Sequence, residues 1–190
     1  MGREQVKTAL AGLAPVHLVE TDYGKKGFHL DVQVAPDQVV AAAEALLREQ
    51  FFIEAVTGVD WLGEQAEKAK EAAKKAADAA KKAADAAAAA GADPPAPAAP
   101  AEIPEPGPEE MEVVYDFNHY GECCRVVVRT RVPRDNPELP TISAIYPGAN
   151  WHERETHDFF GIRFLGHPDL SPLLLPEDAD FHPLLKDFKA

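Results

Sequence analysis

The stretch Asn150-Trp-His-Glu-Arg-Glu-Thr-His-Asp-Phe-Phe-Gly161 places charged and aromatic side chains between two signals that bound a helix. Asn150 is a favoured N-cap residue, and Glu153 stands at the capping-box position three residues later. Gly161 stands where a left-handed residue commonly ends a helix. We therefore predict a helix over 150–160. Such a short helix must bury its aromatic rings and also find partners for its charges.

The segment that follows, 162–190, cannot continue this helix. X-Pro steps such as those at Pro168, Pro176 and Pro183 exclude a continuous helix. The segment is nevertheless rich in Leu and Phe, and each such side chain gains about 1.5–3 kcal/mol on burial. We therefore expect an extended tail that either wraps its own domain or lies along another subunit.

Before this region, hydrophobic periodicity predicts alternating helices and strands. Helical spacing favours a helix over 3–13 and a second over about 37–49. Strands are expected at 16–21, 27–34 and from residue 51 onward. The expected buried positions of the second helix and the third strand are Val39, Ala43, Leu46 and Leu47, followed by Phe51, Ile53, Ala55, Val59 and Trp61.

A β-hairpin is predicted after residue 110. Met111, Val113, Tyr115 and Phe117 alternate with Glu112, Val114 and Asp116. Beyond a turn at 119–122, Cys124, Val126, Val128, Thr130 and Val132 alternate with Arg125, Arg129 and Arg131. Thr141 is expected to cap a short helix reaching Tyr146. Strands, hairpin pairing and two or three helices predict an α+β two-layer sandwich with a four- to five-stranded mixed sheet. The single domain would be discontinuous and comprise 1–63 and 111–161.

The intervening residues 64–110 differ in composition. An Ala-, Lys- and Glu-rich run to about residue 90 contains the same heptad at 74–80 and 81–87, and it predicts a long helix. A Pro-rich acidic linker is expected after it. The helix has no large apolar residue, so a solvated helix is favoured over a coiled coil, and a partner-binding arm is the alternative.

Composition excludes several classes of function. The net charge is −13, which argues against nucleic-acid or anionic-membrane binding by charge. No apolar run approaches the roughly 20 residues needed to cross a bilayer, so membrane association is expected only through other proteins. The two cysteines, Cys123 and Cys124, are adjacent, which predicts one core thiol and one surface thiol rather than a redox or metal motif.

The residues of 150–161 offer little local chemistry of their own. His152 and His157 are five apart, so one helix face cannot present both to a metal ion. A hydrolase built on Glu153, Glu155 and Asp158 is conceivable, but such carboxylates on a helix are more often ion-pair partners. The chain contains no Gly-rich phosphate loop or nucleophile elbow. We therefore expect no catalytic, cofactor-binding or metal-binding residue in this chain.

Recognition is the favoured interpretation of the helix. A partly buried arginine such as Arg154 needs a carboxylate or backbone carbonyls as acceptors. Asp158, four residues later, also needs a partner for its charge. If this domain cannot supply every partner, a neighbouring chain must do so.

Several motifs carry a family resemblance: Glu153-Arg-Glu155, Asp158-Phe-Phe160, His167-Pro-Asp-Leu170, and His182-Pro183 with Lys186-Asp-Phe188. Together with Thr57-Gly58-Val59-Asp60, they resemble the C-subunit family of respiratory complex I, the NADH:quinone oxidoreductase. Related members occur in energy-converting membrane-bound hydrogenases. Ser171 and Leu185 depart from the usual family pattern, and they leave open which of these complexes the chain serves.

The resemblance implies a non-catalytic, cofactor-free subunit of the peripheral arm, on the cytoplasmic side of the bacterial inner membrane. It implies docking against a quinone-site or large hydrogenase-type subunit and against iron–sulfur subunits. Iron–sulfur clusters, with flavin or nickel–iron, would then lie in those partners. A free-standing binding module remains a further alternative. The implied interface and motif residues are Glu153, Arg154, Glu155, Asp158, Phe159, Phe160, His167, Pro168, Asp169, His182, Pro183, Lys186 and Asp187.

Overall fold

The computed structural model describes residues 2–64, 66–68, 70–71, 74 and 109–189. The chain divides into two compact units, of which the first joins Met1–Trp61 to Glu110–Ala190 and the second is Leu62–Glu109. Within the second unit, the described residues from 64 to 74 are helical, and Glu64 pairs with Lys68 one turn later at 2.5 Å. The predicted heptad repeat and Pro-rich linker lie outside the described residues, apart from Lys74, Glu109 and Glu110.

The first unit is an α+β fold, which confirms the predicted fold class. Its elements in chain order are α1 (Gly2–Ala11), β1 (His17–Glu20), α2 (Tyr23–Lys26), β2 (Leu30–Gln33), a 3-10 turn (Pro36–Gln38), α3 (Val39–Arg48), β3 (Phe51–Asp60), β4 (Glu110–His119), β5 (Cys124–Pro133), β6 (Glu138–Pro140), α4 (Ala149–Phe160) and β7 (Arg163–Leu165).

Five strands form a mixed sheet in the order β1-β2-β5-β4-β3. Strand β2 pairs with β5 in parallel, and the other three pairings are antiparallel. Strands β2 and β3 therefore run in the same direction with β5 and β4 between them. Helix α3 makes the crossover connecting them, as the strand–helix–strand pattern indicates. Strands β6 and β7 form a separate parallel pair.

One face of the sheet and the helices form the core. The alternating residues of the β4–β5 hairpin are buried as predicted, from Met111 to Phe117 and from Cys124 to Val132. Helices α1, α3 and α4 contribute to the same cluster. Cys124 is buried and Cys123 is exposed, as predicted for the cysteine pair.

Several predicted buried positions were wrong. A bulge in β3 between Ile53 and Ala55 reverses the alternation, so that Val56 is buried instead of Ala55 and Val59. Leu47 on α3 is 48% exposed, and Ala42 and Ala45 complete the buried face of that helix instead. In both cases, the hydrophobic pattern predicted the type of element correctly but not which of its residues face the core.

The helix predicted from Thr141 to Tyr146 was also wrong. This segment forms a turn in which the Thr141 hydroxyl accepts the Ser143 N–H at 3.1 Å. The short polar side chain bonds the backbone two residues later, which competes with helix formation. None of the helices in the described part of the chain is long and apolar enough to cross a membrane.

The outer face of the sheet carries ion pairs across neighbouring strands. Three arginines of β5 each contact two carboxylates of other strands, and cross-strand pairs of this kind contribute roughly 0.2–1 kcal/mol each. The pairs are Arg125 with Asp116 and Glu54, Arg129 with Asp31 and Glu112, and Arg131 with Glu110 and Glu112. These arginines are thus matched by acids of the same sheet.

Candidate functional site

Helix α4 lies close against strand β3. A Cβ atom at Gly58 would stand 2.6 Å from Cδ2 of Phe160, so only glycine allows the ring to pack there. The Thr156 hydroxyl donates to the carbonyl of Val56, which precedes Gly58 on the same strand, at 3.3 Å. The family element Thr57-Gly58-Val59-Asp60 therefore includes the position that lets the helix seat on the sheet.

The predicted N-cap of this helix was wrong, whereas its predicted end is observed. The helix begins at Ala149, and its N-cap residue Gly148 makes no side-chain capping bond, so Asn150 lies inside the first turn. Gly161 ends the helix with φ 74°. Glu153 does not reach back to the N-terminus, because its carboxylate is bound elsewhere.

Glu153 is fully buried between α4 and the turn before it. Its Oε1 accepts the Ile142 N–H at 2.8 Å, and its Oε2 is in hydrogen-bond contact with the Thr141 hydroxyl. Burial raises the pKa of the Glu153 carboxyl to about 7, against the lowering effect of these two hydrogen bonds. The side chain that sequence reasoning placed in a capping box thus joins the helix to residues 141–142.

Arg154 and Asp158 bind one continuous segment of the C-terminal tail. The Arg154 guanidinium donates to the Ser171 carbonyl at 3.0 and 3.1 Å and to the Pro172 carbonyl at 3.2 Å. Oδ2 of Asp158 accepts three successive backbone N–H groups, those of Leu173–Leu175, at 2.8, 2.8 and 3.3 Å. We call these contacts the tail clamp. The partners that we expected from a neighbouring chain therefore come from this chain's own tail.

The tail clamp also decides the charge of Asp158. Burial alone would raise the pKa of this carboxyl, but the three N–H groups of the tail lower it below its ordinary value. Asp158 is therefore a carboxylate throughout the neutral range. Hydrogen bonds to a charged acceptor stabilise by about 1.5–3 kcal/mol each, more than bonds between neutral groups.

A second anchor holds the end of the tail. Asp60 at the end of β3 is 4% exposed and accepts both Nε and Nη2 of Arg134, at 3.1 and 3.2 Å. Its Oδ2 also accepts the Lys186 N–H at 2.9 Å, while Arg134 Nη2 donates to Asp187 at 2.5 Å. Sequence reasoning missed Arg134, because it stands alone in a loop and only the fold brings it to Asp60.

His182 completes the packing of the tail on α4. Its Nδ1 lies 2.8 Å from the Asp158 carbonyl, and its ring covers Gly161, where a Cβ atom would approach within 2.7 Å. The Leu184 N–H donates to the Phe159 carbonyl at 3.1 Å. The glycine predicted as a helix terminator thus also makes room for the histidine.

The remaining motif residues lie around these anchors. The turn His167–Asp169 precedes the tail clamp, and Nδ1 of His167 accepts the Asp169 N–H at 3.1 Å. Pro168 is exposed, whereas Glu155 and Pro183 are half-buried. The structure therefore gathers the motif residues of the last forty positions on α4, its preceding turn and the end of β3.

The outer surface of this region exposes several large apolar side chains. Eleven large hydrophobic side chains are exposed among the described residues, and six of them belong to the last forty residues. These six, which we call the C-terminal apolar set, are Trp151, Leu165, Leu174, Phe181, Leu184 and Phe188. The polar contacts of the tail are thus made inward, towards the domain, while these side chains contact solvent.

No group of three or more potential metal-ligating side chains is found among the described residues. The polar groups of α4 instead serve hydrogen bonds within the chain. The arrangement is suited to presenting a fixed surface.

Comparison with known proteins assigns the family. The family described as respiratory-chain NADH dehydrogenase, 30 Kd subunit, matches residues 32–190. The chain belongs to this family. The resemblance to the C-subunit family of complex I is thereby confirmed. The match includes α4, the tail and the Thr57–Asp60 element, which are the parts that form the two anchors.

Individual relatives carry related names. Over 90 residues the chain is 46% identical to NADH-quinone oxidoreductase subunit 5 of Thermus thermophilus, covering 45% of this chain and 44% of the relative. It is 41% identical over 85 residues to the C subunit of F(420)H(2) dehydrogenase of Methanosarcina mazei, covering 44% of this chain and 54% of the relative. The chain thus spans about half the length of these curated relatives.

Solved structures share the fold. A trypsin-resistant fragment of Nqo5 matches with a TM-score of 0.55 at 24% identity, over 88% of this chain and 98% of the fragment. A chain of a membrane-bound sulfane sulfur reductase, an archaeal respiratory membrane complex, matches with a TM-score of 0.63 at 21% identity, over 98% and 85%. At these identities the likeness supports the α+β fold alone.

Proposed function

We propose that this chain is a non-catalytic subunit in the peripheral arm of a membrane-bound NADH:quinone oxidoreductase. It docks through helix α4 and the tail 162–188 against the quinone-site subunit and the iron–sulfur subunits. Family membership favours such an assembly, and the names of the matched relatives are those of subunits. Flavin and iron–sulfur clusters belong to the partner subunits, and the arm lies on the cytoplasmic side of the membrane.

The observation that carries this proposal is the division of the tail into a bound inner side and an apolar outer side. An extended segment that only shielded its own core would turn its large side chains inward. Here Leu174 is 59% exposed although the backbone on either side of it is bound by Asp158. The tail clamp therefore fixes the position of an exposed leucine before any partner binds, which reduces the entropy lost on docking.

Introduction of charge on the outer side tests the proposal. In the full-length protein with an untagged C-terminus, Leu174→Asp and Leu184→Asp each place a carboxylate where a partner would bury a leucine. Val16→Asp is the matched control, since Val16 is 70% exposed and lies near β1, outside the docking region. The assay is the amount of oxidoreductase complex recovered from gently extracted membranes, with the co-purifying chains identified by mass.

Burial of a leucine contributes about 1.5–3 kcal/mol, so each Leu variant should bind its partners at least tenfold more weakly. Val16→Asp should give the same yield as the unsubstituted protein. Equal recovery of complex from all four proteins would contradict docking through this surface. Co-purification of no other subunit with the unsubstituted chain would instead favour a free-standing binding module.

A second assignment concerns the electron donor. The match to a subunit named for F(420)H(2) dehydrogenase indicates that related chains serve complexes with donors other than NADH. The equivalent subunit of an energy-converting nickel–iron hydrogenase is thus the alternative proposal. Flavin in the purified complex together with NADH oxidation supports the first assignment, whereas nickel in the complex supports the second.

A further inference from the structure

Among the described residues, no cation forms an ion pair with the buried carboxyl of Glu153 at ordinary hydrogen-bond distance. Both oxygens are held by groups of residues 141–142, and the basic atom that approaches them is His167 Nε2, 3.8 Å from Oε2. A carboxylate without a paired cation is unfavourable in a protein interior, and such a group tends to take up a proton. Burial therefore raises the pKa of Glu153 to about 7, although the hydrogen bonds from Thr141 and Ile142 lower it.

His167 cannot supply the missing positive charge. Its Nδ1 accepts the Asp169 N–H at 3.1 Å, so the ring carries its hydrogen on Nε2 and is neutral. Burial lowers the pKa of this imidazole, and the charge of Arg154 lowers it as well, although the backbone of Asn150 and the charge of Asp169 act in the opposite direction. Near neutral pH, a proton that enters this site therefore binds to Glu153.

A pair of hydroxyl groups connects Glu153 to the surface. Oγ1 of Thr141 contacts Glu153 Oε2 and lies 2.8 Å from Oγ of Ser143. A hydroxyl has one hydrogen, so it donates to only one of two oxygen neighbours at a time. Towards an ionised Glu153, Thr141 donates to the carboxylate and Ser143 donates to Thr141. With a protonated Glu153 both bonds reverse, so each state keeps its hydrogen bonds.

Ser143 lines an open surface cleft of about 550 Å³. The wall of this cleft also includes Trp151 of α4 and the two neighbours of His167, Gly166 and Pro168. The outer end of the hydroxyl pair thus meets solvent in a cleft bordered by the segment that covers Glu153.

We propose that Glu153 is a buried proton-binding site, reached from this cleft through the hydroxyls of Thr141 and Ser143. Proton binding there strengthens the seating of residues 167–171 on helix α4. In the step, hydronium in the cleft gives a proton to the Ser143 hydroxyl and becomes water, Ser143 and Thr141 each pass on one hydrogen, and an O–H bond forms at Oε2. The charge of the site changes from −1 to 0, and no electron is transferred. Uncovering the carboxyl restores its hydration, so release of the covering segment and loss of the proton favour each other.

Two further ionisable groups beside the site keep their charge state near neutral pH. The buried phenol of Tyr115 on β4 faces Glu153, and burial together with that negative charge raises its pKa well above the ordinary value. Asp169 beside His167 has a lowered pKa, chiefly through hydrogen bonds from Ser171, and stays ionised. Neither Tyr115 nor Asp169 therefore competes with Glu153 for a proton near neutrality.

The test is a pH titration of the full-length protein labelled with ¹³C at the glutamate carboxyl carbons, followed by NMR. One resonance should titrate with a midpoint near 7, far from the ordinary value of 4.5, and it should be missing in Glu153→Gln. Thr141→Val removes a hydrogen bond that is stronger in the charged form of Glu153 than in the neutral form, so the midpoint should rise by about one pH unit. Thr21→Val, on the far edge of the sheet, should leave the midpoint unchanged.

Amide hydrogen exchange then tests the coupling to the covering segment. After correction for the intrinsic exchange rate, opening at Asp169 and Ser171 should increase as the pH rises through the Glu153 midpoint. In Glu153→Gln the same opening should be independent of pH. Titration of Glu153 near 4.5, or protonation of His167 on both nitrogens at neutral pH, would overturn the proposal. If the variants fail to fold, the titration of the unsubstituted chain decides alone.

Discussion

Substitution of Asp158 by Asn tests the tail clamp directly. The change keeps the size of the side chain but removes the charge that accepts three N–H groups of Leu173–Leu175. Bonds to a charged acceptor contribute about 1.5–3 kcal/mol each and bonds between neutral groups about 1 kcal/mol, so the three together should weaken by roughly 1.5–6 kcal/mol. The tail should then open more often while the sheet remains folded.

The assay is amide hydrogen exchange at neutral pH, since local opening of a segment appears as a loss of protection. A loss of roughly 1.5 kcal/mol or more corresponds to at least about a tenfold fall in the protection of the Leu173–Leu175 amides, at about 1.4 kcal/mol per factor of ten. Amides of the β4–β5 hairpin should keep their protection. Glu155→Gln is the matched control, because Glu155 lies on the same helix but takes no part in the tail clamp.

Equal protection of these amides in Asp158→Asn and in the unsubstituted protein would refute the reasoning. Acidification provides an independent check of the sign. Because the folded pKa of Asp158 is lowered, its contribution to stability is present above the ordinary value of 3.8 and is lost as the pH falls through the lower folded value. The tail clamp should therefore persist at pH 4, and earlier release would count against it.

Three further predictions concern the elements beneath the tail. Gly58→Ala should lower the free energy of unfolding in urea by about 1–3 kcal/mol, because its methyl group clashes with the ring of Phe160. The cost should be clearly smaller in a Phe160→Leu background, and an equal cost in both backgrounds would contradict this packing. Asp60→Asn and Arg134→Ala should each lower the free energy of unfolding by about 3 kcal/mol, because each leaves a buried charge without its partner. The double variant should lose much less than the sum of the two, and additive losses would show that the pair is not coupled. Because the folded protein raises the pKa of Glu153 from 4.5 to about 7, the stability of the unsubstituted protein relative to Glu153→Gln should fall by about 3 kcal/mol from pH 4 to pH 8. A stability difference that does not change with pH would contradict the raised pKa.

The hairpin shows what local sequence can predict. Met111, Val113, Tyr115 and Phe117 recur at every second position, and all four are buried. Side-chain period and turn residues determine such an element locally, so one sequence suffices to place it. The bulge in β3 is different, because the extra residue between Ile53 and Ala55 reverses the faces without a glycine or proline to mark it.

The candidate site shows where sequence reasoning ends. The charged residues of α4 were predicted to need partners, but sequence could not show that the chain's own tail provides them. The contact between Asp158 and Leu173 spans 15 positions, and that between Asp60 and Lys186 spans 126. Pairings of this kind depend on the tertiary fold rather than on local preference. The capping box expected at Glu153 failed for the same reason, since Ile142 and Thr141 bind that carboxyl.

Hydroxyl-radical footprinting of the chain, alone and within the complex purified from native membranes, tests docking most directly. Labelling reports the exposure of side chains, so it separates the outer side of the tail from its bound backbone. Leu174, Leu184 and Phe181 should be labelled strongly in the free chain and at least tenfold less in the complex, while Val16 should be labelled equally in both. Unchanged labelling of the three residues in the intact complex would show that this surface contacts no partner.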